Sequence, residues 1–212
     1  MTKEERLQMQ REKLAYMRVR EDQLRAEGYK YIAGVDEVGR GPLAGPVVCA
    51  ACIMPLSDII EGVTDSKKLS EKKRELLASQ IKEKALAYSI KEISPEEIDE
   101  INILQATKKC MEMAINGLKI TPDVVLVDAV KLDISIKTVP IIKGDLKSYT
   151  ISSASILAKV YRDELMKKYA ELYPDYGFDR NSGYGTKEHI NAIKGVGPCP
   201  IHRKTFIKNF WG

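Results

Sequence analysis

Residues 34–46 read Gly34-Val35-Asp36-Glu37-Val38-Gly39-Arg40-Gly41-Pro42-Leu43-Ala44-Gly45-Pro46. An apolar run that begins at Tyr31 closes on two adjacent carboxylates, and behind them come three glycines, two prolines and one arginine. A strand that ends in Asp-Glu and runs into a Gly-Arg-Gly turn presents two chemistries at one point. The carboxylates are oxygen ligands for a hard cation. The turn offers backbone amides that a substrate can approach closely, because glycine has no Cβ. A tight turn with a solvated acidic pair is the plain alternative. The residues directly behind the acids tip the balance, since so flexible a segment is costly in chain entropy unless its backbone has a task.

Outward from this stretch the chain alternates in period. Upstream, residues 3–27 are charged and free of Gly and Pro, with Leu7, Leu14, Met17 and Leu24 as a thin apolar stripe. They predict one helix ended by Gly28, an extension of residues 1–28 that either packs on the main domain or contacts substrate. The main domain is then residues 29–212. Strands are expected over residues 31–36, 44–54, 87–93, 123–128 and 138–142. The fourth is continuously apolar, which suits a strand buried on both faces of a parallel sheet. Ser70 predicts an N-cap for a helix over residues 71–85. Ser94-Pro95-Glu96-Glu97 combines a capping box with Pro at the first helical position. Asn102 with Gln105 caps a further helix. Residues 149–170 predict the longest helix, opened by small residues. The remainder reads as loop, with a short helix near residues 186–194. Three early strands followed by alternating helices and strands predict a mixed α/β sheet. Asp36 and Asp128 both fall at strand C-terminal ends, the edge where open α/β sheets bind ligands.

Composition bounds the function. The chain has 212 residues, 44% hydrophobic and 30% charged, an ordinary globular composition for one domain with an appendage. No apolar run is long enough to span a bilayer, and the charged N-terminus lacks a signal-peptide core, so a cytoplasmic protein is expected. The net charge of +4, from 34 basic and 30 acidic residues, is a mild preference for polyanions. Lysines cluster near the acidic blocks, at Lys67, Lys68, Lys72, Lys73, Lys143, Lys147 and Lys159. Lys72 and Lys73 read equally as a solvated helix face. Cys49 and Cys52 form a C-x-x-C, but within an apolar strand their odd separation sends them to opposite faces, which favours buried structural cysteines over a metal pair. No G-x-x-x-x-G-K-[ST] or G-x-G-x-x-G occurs, so a nucleotide-binding protein of either type is disfavoured.

Further blocks follow in order: Asp65-Ser66-Lys67-Lys68-Leu69-Ser70, then Val125-Leu126-Val127-Asp128, Lys143-Gly144-Asp145, and the run from Ser152 to Asp163. Ser182-Gly183-Tyr184-Gly185-Thr186 and His202-Arg203 close the series. With the opening stretch, this ordered set resembles the ribonuclease HII (type 2 ribonuclease H) family from about Ile32 to about Phe206. The resemblance implies a ribonuclease H-like mixed five-stranded sheet flanked by helices, with the first and fourth strands side by side. It implies an endoribonuclease that cuts the RNA strand of RNA–DNA hybrids and cuts 5′ of single ribonucleotides in duplex DNA, leaving 5′-phosphate and 3′-hydroxyl. The sister family, ribonuclease HIII, is the nearest rival; it resembles Gly-Thr-Gly or Gly-Lys-Gly where this chain has Gly39-Arg40-Gly41. A non-catalytic hybrid-binding module is a second rival, disfavoured because all four acids are retained.

The candidate metal ligands and catalytic groups are Asp36, Glu37, Asp128 and Asp145, the last preferred because Lys143-Gly144-Asp145 matches the family position. Four clustered carboxylates repel one another unless cations balance them. Mg²⁺ or Mn²⁺ is expected, since oxygen donors suit them and no His or Cys cluster competes for zinc. Asp133 falls in a loop, and Asp163 reads as a structural partner for a nearby Arg or Lys. His189 reads as a helix-surface or satisfied structural histidine, with proton transfer as the alternative. The family resemblance assigns the sugar beside the 2′-hydroxyl to Tyr184, and the amides of Gly39, Arg40 and Gly41 suit the hydroxyl itself. Ser66, Lys67, Lys68, Lys143 and Ser153 are the expected phosphate contacts, which position a substrate without reading its sequence. A monomer is expected, acting on hybrid and on ribonucleotide-containing duplex DNA.

Overall fold

The computed structural model describes residues 2–128 and 130–211, with the side chains of Lys3, Arg6 and Leu7 outside that description. The elements run α1 (Lys3–Ala26), β1 (Ile32–Val38), β2 (Val47–Ile53), α2 (Glu71–Lys84), β3 (Ala87–Ile93), α3 (Pro95–Asn116), β4 (Val124–Asp128), β5 (Lys137–Ile141), α4 (Gly144–Lys147), α5 (Tyr149–Leu172), α6 (Phe178–Asn181), α7 (Lys187–Val196) and α8 (Lys204–Ile207). The five strands form one sheet in the order β3-β2-β1-β4-β5. The pairs β1–β2 and β2–β3 are antiparallel, whereas β1–β4 and β4–β5 are parallel. The first and fourth strands are therefore neighbours, as the family resemblance implies. No helix among the described residues is long and apolar enough to cross a membrane.

Strand alternation distributes the core. Ile32, Val48, Ala50, Cys52, Val124 and Leu126 face α1, α2 and α5. Ala33, Val35, Val47, Cys49, Ala51, Val125 and Val127 face α3. The odd separation of Cys49 and Cys52 thus puts them in different layers, and both are buried free thiols. The N-terminal turn of α5 lies directly on β1 at Gly34, where an added Cβ would stand 2.3 Å from the Thr150 carbonyl carbon. Only glycine permits that approach, so Gly34 sets how closely the helix behind the site can sit.

The α1 helix packs on the sheet's α5 side through Leu14, Met17 and Leu24, each contributing about 1.5–3 kcal/mol by leaving water. Leu7, the first residue of the expected stripe, lies outside the described side chains. One polar group is buried with the stripe. Glu21 accepts hydrogen bonds at Oε1 from the Ser148 hydroxyl (2.7 Å), the Thr150 amide (3.0 Å) and the Thr150 hydroxyl (3.0 Å), which ties α1 to the start of α5. Burial is the largest influence on this carboxyl and raises its pKa above the usual 4.5. Ionising it in the folded chain therefore costs stability as pH rises past the unfolded value. Glu21→Ala should lose about 1–3 kcal/mol, because buried donors on Ser148 and Thr150 lose their acceptor. Glu21→Gln keeps an acceptor and sheds the ionisation cost, so it should lose clearly less. Urea denaturation of both variants at neutral pH checks the order; equal losses would mean that the carbonyl oxygen is not what holds α1.

Several boundaries differ from expectation for identifiable reasons. β1 runs two residues past Asp36, so both acids sit within the strand end. β2 starts at Val47, because the carbonyls of Ala44, Gly45 and Pro46 are bound by arginine side chains rather than by a strand neighbour. Ser70 is at the N-cap position of α2 but makes no side-chain cap bond. Ser94 caps Glu97 at 3.3 Å, while the Glu97 carboxylate pairs with Lys109 at 2.6 Å instead of returning to the cap. At Asn102 the backbone turns to φ 64°, and its side chain caps the amides of Leu104 and Gln105, so α3 is two helices across a kink. α5 shares the greatest length with α1, at 24 residues each. The single-turn helices α4, α6 and α8 carry too few residues for a periodic signal; α6 and α8 fall in the part expected as loop, and no element was assigned to residues 144–147.

Candidate active site

Parallel pairing of β1 with β4 places Val35 beside Val127, so Asp36 and Asp128 come next in line on adjacent strands. By alternation both share the face of Ile32 and Val124, the face covered by α5. Asp145 arrives from α4. Lys143 takes a left-handed conformation (φ 57°), and buried Gly144 packs beneath the turn beside Asp128 and Ile151. The result is one pocket of about 260 Å³ lined by Asp36, Glu37, Asp128 and Asp145 with Ser66, Lys67, Ser155, Lys159 and Tyr184. A larger groove of about 530 Å³ lies beside Glu96, Asp99, Glu100 and Lys204, but there Asp99 caps the amides of Lys204 and Thr205, a structural task.

The electrostatics of the pocket are those of excess negative charge. Burial, followed by the neighbouring Glu37 charge, pushes the Asp36 carboxyl well above the usual carboxylate range. Glu37 is also raised, chiefly by burial, and is partly relieved by Arg40, whose guanidinium lies 3.5 Å away. The Lys67 ammonium stands 3.6 Å from Asp145. Among the described residues no three His, Cys, Asp or Glu close into a ready-made cage. Mg²⁺ does not require one: it binds through one or two carboxylates and keeps several waters or substrate phosphate oxygens.

The other expected residues divide. Gly39, Arg40 and Gly41 follow the lining residue Val38 and lie outside the lining itself. Arg40 reaches Glu37 at 3.5 Å, and an added Cβ on Gly41 would lie 3.6 Å from the Tyr184 ring, so the two glycine-flanked turns are neighbours. Tyr184 is 47% exposed and open to a substrate. Ser66 and Lys67 reach the pocket. Lys68 does not: it lines a separate groove with Lys13 and Lys73. Lys143 is exposed and outside the pocket lining. Ser153 is a correction. It is fully buried and donates to the Tyr149 carbonyl at 2.8 Å, because one helical step turns it into the core. Ser155 takes the place facing the acids and bonds the Ser66 hydroxyl at 3.0 Å. Asp163 pairs with Lys159 at 2.6 Å and with Arg74 at 3.6 Å, the expected structural role, and Asp133 is exposed on a loop.

Sequence reasoning singled out Lys159 among the lysines near the acidic blocks but gave no role to Ser155 or Arg162, although the i, i+4, i+7 spacing of the three marks one face of α5. It also gave no role to Arg203. Both arginines are fully buried and hold the backbone of the Gly39–Pro46 turn. His189 is buried rather than on the helix surface. Its Nδ1 lies 2.9 Å from the Tyr184 carbonyl and its Nε2 lies 2.9 Å from His202 Nε2. The Cys199 amide donates to His202 Nδ1 at 2.9 Å, so the proton sits on His202 Nε2 and on His189 Nδ1. This neutral chain supports the Tyr184 backbone.

Burial, more than any neighbour, pulls His202 down to about 4 from 6.5. Between those values the unfolded chain binds the extra proton, so stability falls as pH drops through that window. The contribution is about 3 kcal/mol between neutral pH and about pH 4. His202→Gln should flatten the acid limb of a stability-against-pH curve by that order. An unchanged limb would show that His202 charges freely in the fold.

With the geometry established, comparison with known proteins is specific. The family model for Ribonuclease HII matches residues 33–211. A ribonuclease HII of Ruminiclostridium cellulolyticum is 58% identical over 200 residues, 94% of this chain and 78% of that protein. The solved ribonuclease H2 from Pyrococcus horikoshii OT3 is 30% identical with a TM-score of 0.74, covering 85% of this chain and 97% of that one. The ribonuclease HII of Archaeoglobus fulgidus, solved in a complex with PCNA, is 26% identical with a TM-score of 0.69, covering 84% and 96%. The match runs from β1 through every block that lines the pocket, and this chain belongs to the ribonuclease HII family.

Proposed function

We propose that this chain is a divalent-metal-dependent endonuclease that cuts the RNA strand of RNA–DNA hybrids and cuts 5′ of a ribonucleotide embedded in duplex DNA. The observation that carries the reading is the convergence of Asp36, Glu37, Asp128 and Asp145 in one pocket rimmed by the Gly39–Gly41 turn and Tyr184. The donor set fits Mg²⁺ or Mn²⁺: all oxygen, half-buried or buried, with Asp36 and Glu37 raised first by burial and then by the neighbouring carboxylate charges. When bound, two such cations supply activation of a water and stabilisation of the leaving oxygen in an in-line displacement.

The chain's own residues do the rest. Asp36, Glu37, Asp128 and Asp145 hold the charge that recruits the cations. Lys67 and Lys159 on the pocket wall neutralise phosphate. The outward amides of the Gly39–Gly41 turn donate to a ribose 2′-hydroxyl, the group that separates RNA from DNA. The Tyr184 ring lies against the sugar that follows. Residues 29–212 form the catalytic domain, with residues 1–28 as its helical extension. The reading extends to a cytoplasmic monomer, which light scattering of the purified chain tests.

The experiment is cleavage of a DNA duplex carrying one ribonucleotide, with the ends mapped, in Mg²⁺ and in Mn²⁺. The expected products are a 5′-phosphate on the ribonucleotide and a 3′-hydroxyl on the deoxynucleotide before it. Absence of cleavage with both metals, on this duplex and on a hybrid, would overturn the reading.

A further inference from the structure

Arg162 and Arg203 are fully buried, yet every hydrogen bond they make goes to a backbone carbonyl. Arg162 donates from Nε to Pro46 (3.0 Å), from Nη2 to Ala44 (3.0 Å) and from Nη1 to Ser182 (2.9 Å). Arg203 donates from Nε to Gly45 (3.0 Å), from Nη1 to Arg40 (3.0 Å), and from Nη2 to Gly39 (2.6 Å) and Gly45 (2.8 Å). Neither guanidinium forms an ion pair among the described residues. A buried charge without a counter-ion carries a desolvation penalty of several kcal/mol. Filling the space does not require it, since an apolar side chain of similar volume would do so without that penalty.

What the charges accomplish is geometric. In a trans peptide the carbonyl of one residue and the amide of the next point in opposite directions within one plane. Arg203 holds the carbonyls of Gly39 and Arg40 inward, so the amides of Arg40 and Gly41 are aimed outward. Among the described residues neither amide has a hydrogen-bond acceptor. Gly39 sits at φ 91° with an added Cβ only 2.3 Å from Arg162 Nε, so the turn is moulded onto that guanidinium. Arg162 also spans two segments, since Ser182 belongs to the turn that carries Tyr184. The Leu43 amide donates to the Gly183 carbonyl at 2.8 Å and completes the join.

We propose that Arg162 and Arg203 are positioning residues that fuse the Gly39–Gly41 turn and the Tyr184 turn into one rigid gauge, which sets the spacing between a ribose 2′-hydroxyl and the sugar after it. This rests on the functional reading of the two turns given above. A long hybrid offers a 2′-hydroxyl at every register, so a loosened gauge still finds a match. A single ribonucleotide offers one, so a loosened gauge fails there.

The test uses Arg162→Lys and Arg203→Lys, which keep the charge and lose the planar fork. Single-turnover rates are compared on a duplex with one ribonucleotide and on a long hybrid, and the cuts are mapped. The expected result is a loss about tenfold or more greater on the single-ribonucleotide substrate, with new cuts at neighbouring phosphates. Equal losses on both substrates at unchanged cut sites would reduce the arginines to structural staples and overturn the inference. If the variants fail to fold, backbone amide order parameters of the free wild-type protein decide. Values near about 0.85 at residues 39–41 and 183–185 support a preformed gauge, and values below about 0.6 overturn it. Failure of the wild type to cut at the ribonucleotide would instead remove the functional reading on which the inference rests.

Discussion

Asp128→Asn should lower the single-turnover cleavage rate by about a thousandfold or more in Mg²⁺ while leaving hybrid binding largely intact. Asp128 is the last residue of β4 and lies beside Asp36 on the face that forms the pocket. Asparagine is nearly the same size but removes one negative charge from the donor set. A cation at such a site supplies several kcal/mol of transition-state stabilisation, and each 1.36 kcal/mol is a factor of ten in rate. Binding should survive because the proposed phosphate contacts are other residues, Lys67 and Lys159 on the pocket wall among them. The fold should also survive. Among the described residues the Asp128 carboxylate makes no hydrogen bond or ion pair, and its charge raises the pKa of both Asp36 and Glu37. Removing that repulsion should leave the melting temperature unchanged or slightly higher. Rates, affinity by fluorescence anisotropy and a thermal melt on the same preparation separate these effects. Near-normal activity would take Asp128 out of the ligand set.

Tyr184→Ala should reduce cleavage at a single ribonucleotide by roughly ten- to a hundredfold, and by less on a long hybrid. The ring is 47% exposed at the mouth of the pocket, against Gly41, so its apolar face is free to meet a sugar. An aromatic contact of this kind is worth about 1–3 kcal/mol by analogy with base stacking. The backbone at this position is held independently of the ring. The Tyr184 amide donates to the Asn181 carbonyl at 2.9 Å, and the Tyr184 carbonyl meets His189. Truncation should therefore remove the contact and keep the turn. Parallel rate measurements on the two substrates decide the matter. Equal losses would make Tyr184 a general binding residue, and no loss on either would remove it from the site.

Much of this was legible before any coordinates. β3 has the limits expected for it, residues 87–93, and Ser94 and Asn102 cap helices where their side chains imply. The burial of Cys49 and Cys52 in opposite layers follows from period two alone. So does the shared face of Asp36 and Asp128, once parallel pairing is granted. These features depend on residues within a few positions of one another, and propensity, capping and alternation encode such distances directly. The position of Asp145 was accessible only through the ordered motifs of the family, because α4 is too short to show a period.

The tertiary structure decided what depends on contacts across the chain. Ser153 and Ser155 are equivalent in composition, and only the docking of α5 on Gly34 selects which one meets the acids. Glu21 looks like an ordinary helix-surface acid until Ser148 and Thr150, more than a hundred residues away, close over it. Arg203 stands in the sequence only as part of the closing His202-Arg203 block, without a role, until the chain returns it to Gly39, 164 residues earlier. Its burial there, without a counter-ion, is what shapes the turn with which the sequence opened. A charged side chain carries no local sign of whether water or a carbonyl will solvate it, since that partner is supplied by chain closure. The amino-acid sequence therefore determined the strands, the Ser94 and Asn102 caps and the placing of the acids at strand ends; the closed fold determined which groups hold them in working geometry.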